Sequence, residues 1–293
     1  DEIYDYVYNW EKIPHYIALF NQELVNIYQT IRDGHISAAQ LKVQVQALVR
    51  AQENGANSLF SASFCIDRRN LELQIVRNLV SKLTRTAAIE KKHGLLSPAD
   101  LDKNIETAFK SGFYMHFRDL MNGKIGKGEV SAAKHTANYY FIREFCYGAM
   151  FRYNAEGHFN IPYGGIAYNT KDFRKKVNHI LSPELRAVFK GTIIENGDFA
   201  DILSTHEAGK DDFIFLDPPY DSDFSDYDNN GFGLADHKRL AEFIYHTPAK
   251  CMLLIKETPF IRSLYQNIPG ITIESFDKKY LYIWAAFTNY INK

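Results

Sequence analysis

The sequence predicts an α/β protein with a mostly parallel sheet in its C-terminal part. After about residue 190, short apolar runs alternate with helical segments, a pattern that is typical of parallel strands joined by crossover helices. Residues 35–169 are predicted to be mostly helical. Ser97 and Pro98 have the residue types of an N-cap and a first helical position, and the helix that they begin is predicted to run to about Asn122.

The other elements are predicted in chain order. Residues 1–34 begin with an aromatic helical piece to Trp10, followed by a short strand near residues 15–20 and a helix over residues 22–33. A final pair of strands suggests an antiparallel edge to the sheet. The predicted strands are residues 191–194, 213–216, 251–255, 271–276 and 280–290, and the predicted helices among them are residues 199–203, 235–245 and 260–266.

Four residues after one of these strands carry the most specific chemical signal. The apolar residues 213–216 are predicted to form a buried strand, and Asp217, Pro218, Pro219 and Tyr220 follow it as a rigid, proline-locked turn. In open α/β sheets, ligands bind at this end of a strand. A carboxylate and a main-chain carbonyl there can accept both N–H bonds of a planar amine, while the tyrosine ring stacks on it.

This tetrapeptide after an apolar strand resembles the catalytic motif of the Dam-like (D12 class) site-specific DNA adenine-N6 methyltransferases. The resemblance runs from about Pro14 to the C-terminus. It implies a Rossmann-like methyltransferase sheet with an inserted mainly helical DNA-recognition domain. Residues 1–34 and 170–293 would then form the catalytic domain, and residues 35–169 the target-recognition region with a hairpin that enters DNA.

The implied reaction is transfer of a methyl group from S-adenosyl-L-methionine to the N6 amine of an adenine flipped out of double-stranded DNA. The resemblance makes Asp217, Pro218, Pro219 and Tyr220 the catalytic residues. The Asp217 carboxylate and the Pro218 carbonyl would hold the amine, and Tyr220 would stack on the base. Restriction-modification is one setting for such an enzyme, and phage and housekeeping systems are others.

A second segment resembles the part of the family that holds the adenine ring of the cofactor. It consists of Gly197, Asp198 and Phe199, after the predicted strand at residues 191–194. By this resemblance Asp198 accepts the exocyclic amine and Phe199 flanks the ring. The alternative is that Asp198 is a plain helix N-cap. The two roles are compatible.

A third segment, residues 152–164, resembles the family's DNA-entering hairpin. Arg152 falls where the family reads a guanine, and a guanidinium suits a bidentate grip on O6 and N7. Tyr147 falls at a phosphate or base contact, and Met150 at an apolar wedge that fills the gap left by a flipped base. The alternative is a buried aromatic hairpin with Met150 in the core. Five residues of this segment and its approach are predicted to bind DNA: Tyr147, Met150, Arg152, Asn154 and Asn160.

Basic residues of the helical region are further candidates for phosphate contacts. Lys124 and Lys127 lie in a basic loop that is predicted to be flexible, at residues 122–128. Phosphate contacts fix register on a duplex rather than read its sequence. The alternative is an ordinary loop and a solvated helix face. The basic residues of the predicted helical region are Arg68, Arg69, Arg77, Lys82, Arg85, Lys91 and Lys92.

Composition gives weaker constraints on the function and location of the protein. The formal net charge is −1, so affinity for DNA must come from a local patch rather than from a global positive field. The three cysteines are far apart and odd in number, which favours a reducing compartment. No signal peptide opens the chain and no apolar stretch has transmembrane length, so a cytoplasmic protein is predicted. The histidines show no metal-ligand spacing, and no metal site is predicted.

The departures from the family concern the cofactor. The family's opening glycine-rich segment, where the cofactor's methionine part lies against bare backbone, has no match, and Leu19 stands where an acid would bind the ribose. Either the chain lacks roughly its first 40 residues, a length judged from typical element sizes, or cofactor affinity has been lost. The second case leaves a DNA-binding remnant or one subunit of a split enzyme.

A methyltransferase acting on RNA or on a protein glutamine is a further alternative. The resemblance of residues 152–164 to a DNA-entering hairpin disfavours it.

Overall fold

A computed structural model shows the chain as two compact units, Asp1–Gly191 and Thr192–Lys293. The first unit is helical and the second combines helices with a small parallel sheet, so the protein is a mainly helical α/β protein. The residues that the structure describes are 2–19, 21–51, 65–126, 130–220 and 232–276.

The first unit is built from amphipathic helices that surround an aromatic core. Two short 3-10 turns, Tyr147–Ala149 and Ile166–Tyr168, flank a hairpin within it. Its described helices are α1 (Glu2–Ala18), α2 (Asn21–Arg32), α3 (Ala38–Ala51), α4 (Arg68–His93), α5 (Pro98–Met121), α6 (Ala132–Phe145), α7 (Phe173–Ile180) and α8 (Pro183–Lys190).

Helix α1 overturns one prediction. Tyr6, Trp10, Ile13 and Ile17 are buried at spacings of three and four residues, which places them on one helical stripe that faces the core. The predicted strand at residues 15–20 is therefore wrong, because the helical period continues through Pro14 to Ala18. The helix includes Pro14, whose missing N–H is tolerated while the stripe packs on the core.

Helix α5 confirms its predicted start. The Ser97 hydroxyl oxygen accepts the Asp100 N–H at 3.1 Å, Pro98 occupies the first turn, and the helix ends at Met121. This helix packs along α4 at the centre of the unit. The backbones approach so closely that a Cβ built on Gly112 would lie 2.6 Å from the Cα of Ile75. Glycine is thus required at position 112 for packing.

The second unit contains a parallel βαβ arrangement. β1 pairs with β2 in a register that sets Phe213 opposite Lys250, and α10 connects them. The predicted strand at residues 213–216 is confirmed, the one predicted at residues 251–255 is present as residues 250–253, and the three predicted helices of this unit are present within two residues of their predicted bounds. The elements are α9 (Phe199–Thr205), β1 (Phe213–Leu216), α10 (Leu234–His246), β2 (Lys250–Leu253) and α11 (Pro259–Tyr265).

Two of the predicted strands are absent from the described residues, and a third cannot be compared with them. Residues 191–194 and 271–276 are not strands there, and the predicted strand at residues 280–290 lies outside the described residues. The strand at residues 213–216 is also not fully buried. Phe213 and Phe215 are 63% and 54% exposed on one face, because the second unit's small core forms around α10 and α11 on one side. Apolar composition alone could not show that only one face is covered.

The division between the units falls after Gly191 rather than at residue 170. Helices α1 and α2 pack in the same core as the helices of residues 35–169. The assignment of residues 1–34, 35–169 and 170–293 to catalytic and recognition roles stays a prediction.

Gly112→Ala tests the close approach of α4 and α5. Alanine favours an isolated helix by about 1 kcal/mol over glycine, but its Cβ would meet backbone atoms of Ile75 and Gln74, which cannot rotate away. We expect a net loss of roughly 1–3 kcal/mol in the free energy of unfolding, measured by urea denaturation. Gly191→Ala is the matched control: its nearest atom lies 3.7 Å away, and a similar loss there would contradict the packing explanation.

Candidate functional site

The tetrapeptide Asp217 to Tyr220 lies at the carboxyl end of β1. The backbone ladder with β2 continues to this point, since the Leu254 N–H donates to the Leu216 carbonyl at 3.0 Å. Asp217 and Tyr220 are both exposed. The strand therefore delivers a carboxylate and an aromatic ring to the end of the sheet where α/β proteins bind ligands.

Asp198 caps α9 and also binds an arginine. Its carboxylate accepts the Ala200 N–H at 2.9 Å, so the alternative N-cap role is observed. Arg239 of α10 donates to both carboxylate oxygens, at 2.6 and 3.2 Å. These contacts, the arginine first, hold the pKa of the Asp198 carboxyl below its usual range. The group is thus an ionised, oriented acceptor.

Phe199, the neighbour of Asp198, takes part in the same cluster. The Arg239 guanidinium carbon lies 5.0 Å from the centre of the Phe199 ring, within cation–π range. The ring of Phe232 lies at 5.5 Å. The two residues predicted to hold an adenine ring are therefore adjacent and fixed from α10.

In the first unit, residues 152–164 form the predicted hairpin. Tyr153 faces Phe159 in an antiparallel bridge. The turn is organised by Asn154, whose side-chain oxygen accepts the N–H groups of Glu156 and His158 at 3.2 and 2.8 Å. Gly157 completes the turn with a φ of +76°. Asn154 is thus a turn-forming residue in addition to its predicted contact with DNA.

The returning strand of the hairpin is anchored on α5. The N–H and C=O of Phe159 bond the side chain of Asn122 at 2.8 and 3.0 Å. Arg118 donates to the carbonyls of Asn160 and Ile161, and the Tyr114 hydroxyl donates to the Ile161 carbonyl at 3.0 Å. Side chains of one helix therefore satisfy backbone groups that the two-stranded hairpin leaves unpaired.

The outgoing strand of the hairpin is presented to solvent. Met150 is 48% exposed and Tyr147 is 40% exposed, so the alternative that Met150 belongs to the core is wrong. Arg152 is exposed, and its Nε lies 3.4 Å from the Asn160 side-chain oxygen across the hairpin. Asn160 thus orients Arg152, and it is itself half-buried.

The basic candidates lie on α4 and after α5. Lys124 is exposed near the end of α5 that anchors the hairpin, with its Nζ 3.9 Å from the Asp119 carboxylate. Lys127 lies outside the described residues. Lys82 is half-buried, and burial followed by the charge of Arg85 lowers its pKa. The exposed members of the α4 set are Arg68, Arg69, Arg77, Arg85, Lys91 and Lys92.

Comparison with known proteins identifies the family of this chain. The family described as D12 class N6 adenine-specific DNA methyltransferase matches residues 14–282. The chain belongs to this D12 class. Relatives include the Type II methyltransferase M.CviBI of Paramecium bursaria Chlorella virus NC1A, with 39% identity over 49% of this chain and 52% of that protein.

Two further relatives of this D12-class chain are more distant. The Retron Ec67 DNA adenine methylase of Escherichia coli is 31% identical over 47% of each chain. The Type II methyltransferase M.MjaIII of Methanocaldococcus jannaschii is 30% identical over 58% of this chain and 55% of that protein. The chain thus spans about half the length of these relatives.

Two negative findings apply to the described part of this D12-class chain. None of its helices there has the length and apolar content to span a membrane. Nor do three or more His, Cys, Asp or Glu side chains gather there in an arrangement that could hold a metal ion.

Three side chains, one in the second unit and two in the first, hold candidate residues in place with little signal in the local sequence. Arg239 lies 41 residues from Asp198, and Asn122 lies 37 residues from Phe159, so neither contact has a local pattern. Arg118 is similar. The one available signal was the spacing of Asp236 and Arg239, which forms an ion pair at 2.8 Å in the first turns of α10.

Asn122→Ala tests the anchoring of the hairpin. The substitution leaves the N–H and C=O of the buried Phe159 without their side-chain partner, which costs about 1–3 kcal/mol. We expect faster amide hydrogen exchange in residues 152–163. Asn104→Ala is the control, because the Asn104 side chain bonds the Asp100 carbonyl of its own helix. Equal exchange rates in the two variants would show that Asn122 does not anchor the hairpin.

Proposed function

We propose that this chain is the catalytic part of an S-adenosyl-L-methionine-dependent enzyme that methylates the N6 amine of an adenine in duplex DNA. The observation that carries the proposal is the exposed Asp217 to Tyr220 segment at the carboxyl end of β1, in a chain of the D12 class. The relatives named as adenine methylases support the same activity.

The catalytic residues act by position and by charge. The Asp217 carboxylate and the Pro218 carbonyl are acceptors, so they bind the two N–H groups of the adenine amine and direct its lone pair away from the ring plane. Tyr220 stacks on the base, and Pro219 fixes the turn. Such preorganised acceptors lower the barrier because they stabilise positive charge as it develops on the nitrogen.

The residues proposed for the cofactor fit its chemistry. S-adenosyl-L-methionine, when bound, supplies an electrophilic methyl group. Asp198 is an ionised acceptor suited to the exocyclic amine of its adenine, and the Phe199 ring offers a stacking surface beside it. Leu19, at the position of the family's ribose-binding acid, lies in the turn after α1 and is 52% exposed. The proposed cofactor contacts of this chain are thus those to the adenine.

The hairpin is proposed to enter the duplex. Met150 would fill the stack after the adenine swings out, and Arg152 would read a neighbouring guanine. The exposure of both side chains and the contact of Arg152 with Asn160 support these roles. The remaining proposed DNA contacts are Tyr147, Asn154, Lys124 and Lys127.

The proposed domain organisation follows the family. A catalytic domain with a Rossmann-like methyltransferase sheet would comprise residues 1–34 and 170–293, with the recognition region of residues 35–169 inserted between them. The parallel β1–α10–β2 arrangement supports the sheet. The helical character of residues 35–169 supports the insertion.

Asp217→Ala tests the activity. We expect methyl transfer to adenine in duplex DNA to fall by at least about a thousandfold, measured with a labelled methyl donor, because one of the two amine acceptors is removed. DNA affinity should change less than about twofold, since the hairpin is untouched. Asp211→Ala is the control, because this exposed carboxylate lies before β1 rather than after it.

Titration of S-adenosyl-L-methionine into the wild-type chain, with and without duplex DNA, completes this test. Micromolar binding with transfer to adenine supports the proposal. DNA binding without cofactor binding would contradict it and would leave a DNA-binding remnant or one part of a split enzyme. Transfer to RNA or to protein alone would also contradict it.

Arg152→Ala tests the guanine contact. Once the methylated sites have been mapped by sequencing, replacement of the neighbouring guanine by 7-deazaguanine removes the N7 acceptor. We expect this replacement to weaken wild-type binding about tenfold and to have little effect on the Arg152→Ala variant. Arg186→Ala, an exposed arginine on α8, should behave as wild type. Equal sensitivity in wild type and Arg152→Ala would contradict the contact.

A further inference from the structure

We propose that Arg239 is a positioning residue for the adenine of the cofactor, holding Asp198 and Phe199 in the arrangement that binds it. The inference rests on the proposed function, since it concerns the cofactor site of that activity. No residue of α10 has a role in the motif that suggested the site. The assignment comes from the contacts that Arg239 makes.

Contacts within α10 hold Arg239 in addition to its contact with Asp198. Its Nη1 donates to Asp236 Oδ1 at 2.8 Å, one turn earlier in α10. The second oxygen of Asp236 accepts the Gly233 N–H at 2.9 Å at the start of the same helix. The guanidinium therefore projects from a helix start that is tied down by its own hydrogen bonds.

The fork of Arg239 fixes the rotation of the Asp198 carboxylate. Nη2 binds Oδ1 at 2.6 Å and Nη1 binds Oδ2 at 3.2 Å, a bidentate contact that a lysine could not reproduce. The Ala200 N–H also binds Oδ1. The same guanidinium faces the Phe199 ring, so one side chain sets both predicted adenine contacts.

The Asp198 carboxylate is held by several donors at once. Arg239 donates to both oxygens, the Ala200 N–H donates to Oδ1, and the Asp201 N–H also contacts the carboxylate. An ionised carboxylate accepts hydrogen bonds on both oxygens, and these contacts fix the directions of its lone pairs. Arg239 contributes a side-chain contact that sets the rotation of the group toward an N–H donor of the cofactor.

The ion pair between Arg239 and Asp198 contributes little to folding stability. The Arg239 and Asp198 side chains are 45% and 41% exposed, and exposed pairs contribute little to folding stability because water screens them. Loss of the pair should accordingly leave the fold intact. Its effect should appear in the binding of a ligand with an adenine amine.

Arg239→Met tests the inference, with S-adenosylhomocysteine as the titrated probe. We expect its dissociation constant to rise about tenfold, with Arg239→Lys in between. S-inosylhomocysteine, which has a carbonyl in place of the amine, should be disfavoured by wild type and much less so by Arg239→Met. In transfer assays the cofactor KM should rise while kcat changes less than about threefold.

Arg262→Met is the matched control, since Arg262 pairs with Glu257 at 3.0 Å and is similarly exposed in the same unit. It should bind the probe as wild type does, and both variants should unfold at the wild-type temperature. If wild type binds the probe and Arg239→Met binds it equally or more tightly, the inference alone is overturned. If wild type does not bind the probe, the proposed cofactor site fails and the inference fails with it.

Discussion

The requirement that buried backbone groups find hydrogen-bond partners shapes the first unit. Tyr153 and Phe159 form a bridge in which Phe159 directs its N–H and C=O away from the partner strand. Buried groups of this kind are costly when unpaired. Asn122, at the C-cap of α5, supplies both partners. The returning strand of the hairpin is therefore anchored on α5, while Arg152 on the outgoing strand remains exposed.

In the second unit, single polar side chains satisfy two requirements at once. Asp198 caps α9 through Ala200 and receives the fork of Arg239. Asp236 closes the start of α10 through Gly233 and holds the same arginine. Because the capping bonds fix the two carboxylates before any ligand arrives, the geometry around Phe199 is set by the fold. Preorganisation of this kind reduces the ordering cost of binding.

Local patterns predicted local structure well. The bounds of β1 and the Ser97 cap of α5 follow from residue type and spacing, and both are confirmed. The predicted strand at residues 15–20 is wrong because the buried stripe of α1 depends on packing against other helices, which residue types alone do not reveal. The contacts of Arg239 and Asn122 cross long stretches of chain. No periodicity records such contacts, and only the folded backbone brings them together.

The sheet explains why the position of Asp217 depends on more than its own motif. The role proposed for Asp217 requires a strand end that does not move, whereas two paired strands alone are marginally stable. Helices α10 and α11 build a small core on one side. Phe213, Phe215 and Met252 remain more than half exposed on the other side, where Phe215 lies opposite Met252. Within the described residues, the strand end that carries Asp217 is therefore supported from the side of α10 and α11.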